Sequence, residues 1–127
     1  LSQEETEAVR FSRTTRIISE IDSEEMIVLL LYTKRTYNDH QEFREKYPAI
    51  FDVPALIIGS SQDVVQKNAQ FEAAKRHLIS LGLLEEEIRF DRETGAAERF
   101  GNSVRKDIHL TLVGRLVLSH AGLTDKL

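Results

Sequence analysis

Cysteine is absent from all 127 residues, which excludes disulfides, thiolate metal sites and thiol nucleophiles and fits a reducing compartment such as a bacterial cytoplasm. Long apolar runs are missing too: the longest, Met26 to Tyr32, is far too short to span a bilayer, and no signal-peptide pattern precedes it. A cytoplasmic protein without membrane association is the expectation. There is no basic surplus. The formal charge is −4 and the pI near 5.6, which argues against a basic nucleic-acid coat while leaving room for a local basic face. The four histidines, His40, His77, His109 and His120, lack metal-ligand spacing. Neither a Gly-rich phosphate loop, a Gly-x-Ser-x-Gly elbow nor a recognisable carboxylate pair occurs. A non-catalytic chain without cofactor or metal follows. Its length suits one domain over 1–127 that buries roughly two-thirds of its unfolded surface, and an opening Leu1 in place of methionine predicts a domain cut from a longer chain.

Apolar periodicity and caps supply the elements. Ser2 with Glu5 makes a capping box, and Val9, Ile17, Ile18 and Ile21 form the apolar face of a first helix of about five turns. Asp22 or Ser23 caps a second helix, with Glu25 completing a box with Asp22. Met26, Leu29, Leu30 and Tyr37 mark its buried side, and Ile27, Val28 and Leu31 add enough apolar character to place it at the centre of the core. Asn38 and Asp39 read as caps for a short polar helix, His40 to Lys46, ended by Tyr47-Pro48. Val53 to Ile58 fits a short strand or an apolar turn of helix. Ser60 or Ser61 then caps a long helix to Leu81 whose apolar residues are Phe71, Ala74, Leu78 and Leu81, and Gly82 closes it. Ile88 and Phe90 alternate with Arg89 and Asp91 as in a half-buried strand, and Val104, Ile108 and Leu110 return. Thr94 to Ser103, with two glycines and no period, reads as the loop of a long hairpin. Val113 to His120 is a last apolar helix ending at Gly122.

The string Leu78-Ile79-Ser80-Leu81-Gly82-Leu83-Leu84, a strand pair, then Leu110-Thr111 with Gly114-Arg115 and an apolar helix resembles the recognition-helix-to-wing half of bacterial winged-helix regulators of the MarR and PadR type. It covers about 50 of the 127 residues. More loosely, the order of elements resembles the C-terminal part of the Abi-alpha family of phage-defence-associated proteins. The implied fold is mainly α (α+β): a winged-helix-like domain with a two-stranded wing and an extra N-terminal helix. The implied role is transcription regulation through double-stranded DNA. One departure stands out: about fifteen residues separate Lys46 from Gln62, where a helix-turn-helix has a turn of three or four.

The candidate nucleic-acid residues follow. On the long helix, Gln66, Lys67, Gln70 and Arg76 suit base edges; on the wing, Arg92, Arg99, Arg105 and Lys106 suit phosphates, with acids interleaved. Arg10, Arg13 and Arg16 recur every third residue on the first helix, where Glu7 and Glu20 are spaced to pair with some of them. Phe100, flanked by Arg99 and Gly101, is either tucked onto the domain or offered to a partner. A protein-interaction or homodimerisation module, with the first helix or the Phe100 loop as its contact, is the alternative to DNA binding.

Overall fold

The computed structural model describes residues 2–52, 57–100, 103–104 and 106–123. It is mainly helical with a two-stranded antiparallel hairpin: α1 (Gln3–Ser19), α2 (Ser23–Leu31), α3 (Tyr37–Lys46), α4 (Pro48–Phe51), α5 (Gln62–Ser80), β1 (Leu84–Ile88), β2 (Arg99–Phe100), β3 (Ser103–Val104), β4 (Lys106–Leu110) and α6 (Leu112–His120). Long helix, hairpin and final helix follow in the order expected of a winged-helix-like layout.

Local chemistry sets most helix starts. Ser2 Oγ accepts from Glu5 N–H at 3.2 Å. Asp22 and Glu25 form a reciprocal box, with Glu25 N–H donating to Asp22 Oδ1 at 2.7 Å and Asp22 N–H to Glu25 Oε1 at 3.1 Å, so two orphan donors of α2 are satisfied. Ser61, rather than Ser60, caps α5. α3 departs from expectation: Thr36 takes the cap by accepting from Asp39 N–H at 3.1 Å, so Asn38 and Asp39 fall inside the first turn. Tyr37 therefore opens α3 and is 77% exposed, not on the buried side of α2. Pro48 ends α3 as expected but also starts α4, since its ring pre-sets the φ of a first helical residue. Of the ambiguous 53–58 stretch, 53–56 lies outside the described residues, and Ile57 and Ile58 sit exposed at a turn.

The core gathers Val28, Leu29 and Leu31 of α2, Phe51 of α4, Leu78 of α5, Leu83 and Leu84, and Val117 and Leu118 of α6. Each such side chain contributes about 2 kcal/mol. α2 is central, as its all-round apolar sequence requires. No described residue of α3 is fully buried; aromatic contacts hold it instead, Phe43 lying 5.1 Å from Tyr47 and 5.8 Å from Phe51, which meets Phe71 of α5 at 6.1 Å. On α1, Ile17, Ile18 and Ile21 pack on the core. Val9, expected on the same face, is half exposed, because helical geometry points it about 120° away from Ile21 and 180° away from Ile18.

α5, the hairpin and α6 meet at one junction. Gly82 has φ +77° and closes α5 with Leu83 N–H donating to Leu78 O and Gly82 N–H to Ile79 O, each at 3.0 Å, the paired bonds of a Schellman cap. Thr111 ties this cap to α6: its N–H donates to Leu83 O at 3.1 Å, its hydroxyl donates to Gly82 O at 2.7 Å, and the same oxygen accepts from Gly114 N–H at 3.0 Å. Gly114 permits the approach. A Cβ there would lie inside the radius of the Leu83 carbonyl oxygen and 2.7 Å from Leu110 Cδ1.

β1 pairs with β4 from Leu84↔Leu110 to Ile88↔Lys106. The expected loop over Thr94 to Ser103 is more structured than its lack of period suggested: a Phe90↔Ala97 bridge closes one small turn, and β2 pairs with β3 next to it. β1 is not the half-buried strand expected. Only Leu84 of it is buried, while Ile88 and Phe90 are exposed, because four residues at about 3.3 Å each carry the strand about 13 Å beyond its anchor at Leu84.

Candidate interaction surface

The residues expected to read bases are exposed on α5, but the fold surrounds several of them with carboxylates. Gln70, with Ala73 and His77, faces a cleft of about 430 Å³ whose other wall is Asp22, Glu24 and Glu25. Lys67 and Gln70 border a second depression beside Glu24, Ala49 and Ile50. These acids belong to the cap and first turn of α2, where negative charge complements the helix dipole, so α2 needs them for its own start. His77 Nδ1 bonds Glu25 Oε2, fixing α5 to that cap. Lys75 is paired with Glu72 at 2.7 Å. Phosphates approaching Gln70 meet the negative wall of α2; Gln66 and Arg76 stand clear of it.

Some of the wing's basic charge is paired in a similar way. Lys106 Nζ lies 3.7 Å from Glu86, and Arg89 Nε is 3.3 Å from Asp107 and 3.8 Å from Glu98. His109 Nε2 is 3.2 Å from Glu87. Arg92 and Arg99 are exposed with no ion pair among the described residues, although Arg92 borders a depression shared with Glu87, Glu98 and Asp107. Arg105 and the Phe100 side chain lie outside the described residues. His109 and His120 do not converge: His109 meets Glu87, and the ring of His120 lies 5.3 Å from Phe11. No group of metal-binding character occurs among the described residues, and no described helix is long and apolar enough to cross a membrane.

Two titrating groups among the described residues are perturbed by their surroundings. Burial pushes the Tyr32 phenol above its usual value, against the pull of Arg44 and with help from Glu72. Burial pushes His40 below its usual value, and the Arg44 guanidinium adds to that.

A different surface carries the strongest unexplained feature. α6 buries Gly114, Val117 and Leu118, yet Leu112 is 71% exposed, Leu116 45%, Val113 44% and Leu123, just past the helix, 45%. Leu112 and Leu116 are one turn apart on the side opposite the buried residues. Phe11 of α1, 61% exposed, extends the strip through its contact with His120. Arg10, Arg13 and Arg16 stand exposed along α1, and the spacing that offered them Glu7 and Glu20 forms no ion pair among the described residues. Sequence reasoning saw an apolar last helix but not its outward side. The signal was a surplus: Leu112-Val113-Gly114-Arg115-Leu116-Val117-Leu118 carries more apolar residues than one core-facing stripe uses. No protein-family model, curated protein or solved structure matches the chain.

Proposed function

We propose that this chain is a non-catalytic protein-interaction module that presents the outer side of α6, with Phe11 of α1, to a partner. The observation that carries this reading is the doubly apolar α6, one side in the core and the other in water. A helix apolar on most of its circumference is ordinarily covered, and an exposed strip of this kind marks an interaction site. The paired Arg89 and Lys106 of the wing and the acids beside α5 favour it over duplex binding. The test uses the absence of cysteine: Leu116→Cys, labelled with a solvatochromic dye, is followed from nanomolar to high micromolar protein and in cell extract. A blue shift in either condition supports a docking face. Emission fixed at that of a fully hydrated dye throughout contradicts it.

A second reading keeps the winged-helix resemblance and its DNA. It rests on Lys67, Arg76, Arg92 and Arg99, all exposed and outside any ion pair among the described residues, as phosphate contacts of a transcription regulator in a bacterial cytoplasm. A partner in phage defence follows only from the looser Abi-alpha resemblance.

A further inference from the structure

We draw no further inference here: the strongest candidate, the exposed apolar strip that Leu112, Val113 and Leu116 of α6 form with Leu123 and with Phe11 of α1, belongs to the docking face already described, and nothing in the structure shows what covers it.

Discussion

Replacing Gly114 by alanine separates helix propensity from tertiary packing, because the two predict opposite signs. Gly114 lies inside α6, where alanine is favoured over glycine by about 1 kcal/mol. The structure reverses that gain. The added methyl meets the Leu83 backbone oxygen and Leu110 Cδ1, and a carbonyl locked into the α5 cap cannot swing aside like a flexible side chain. Moving α6 outward costs about 1–3 kcal/mol in packing. It also stretches the Thr111 bonds to Gly82 and Leu83, each worth about 1 kcal/mol. After subtracting the propensity gain, the net loss is about 2–4 kcal/mol. A chain of this length shifts about 4 °C per kcal/mol, so Gly114→Ala should melt about 8–16 °C below wild type by far-UV circular dichroism. Thr111→Val, which keeps shape but loses the hydroxyl, should lower stability by about 2 kcal/mol. Gly122→Ala, with φ +73° but nothing within 4 Å of the new methyl, should lose only about 1 kcal/mol. A Gly114→Ala protein melting at or above wild type would refute the junction as described.

Three further outcomes follow. Glu25 is 8% exposed and holds both Asp22 N–H and His77, so Glu25→Ala should cost about 2 kcal/mol in urea denaturation, and more than His77→Ala, whose side chain is 39% exposed. The raised Tyr32 favours the folded state while the phenol is neutral. Its contribution is complete below pH 10 and lost as pH rises through the higher folded value, so Tyr32→Phe should flatten the alkaline limb of stability against pH. The lowered His40 favours the folded state with neutral imidazole, so stability falls as pH drops below 6.5 toward the lower folded value, and His40→Gln should flatten that acid limb. With labelled duplex DNA, fluorescence anisotropy at about 50 and 200 mM salt should show no affinity tighter than about 10 µM; tighter, steeply salt-sensitive binding that Arg92→Ala with Arg99→Ala weakens would instead favour the regulator reading.

The elements that were legible in the sequence are those decided within a few residues. Asp22 with Glu25, Ser2, Gly82 and the Tyr47-Pro48 stop each act on neighbours in the chain, and the crowded apolar sequence of α2 placed it in the core without further information. Thr36 was missed because three polar residues within four positions, Thr36, Asn38 and Asp39, compete for one cap, and the winner depends on how α2 hands the chain to α3. Ile88 and Phe90 alternate correctly for a strand, but alternation does not report how far the strand runs past the helices that bury its base. The surroundings of the α5 face were not legible for a long-range reason: Asp22, Glu24 and Glu25 are about fifty residues away in sequence and reach Gln70 and His77 only when α2 packs on α5. The outward side of α6 was visible as an apolar surplus, though its exposure is settled only by knowing which residues the core uses.

The central claim is that the outer side of α6, with Phe11, serves association and not the chain's own core, and the thermal stability of a Leu112→Lys, Leu116→Lys variant tests it most directly. Wild type and variant are melted at about 1 µM protein. Substitutions of surface residues outside the core each change stability by about 0.5 kcal/mol or less, so the variant should melt within about 4 °C of wild type. A variant melting more than about 10 °C lower would contradict the account, because it would make those leucines part of the fold.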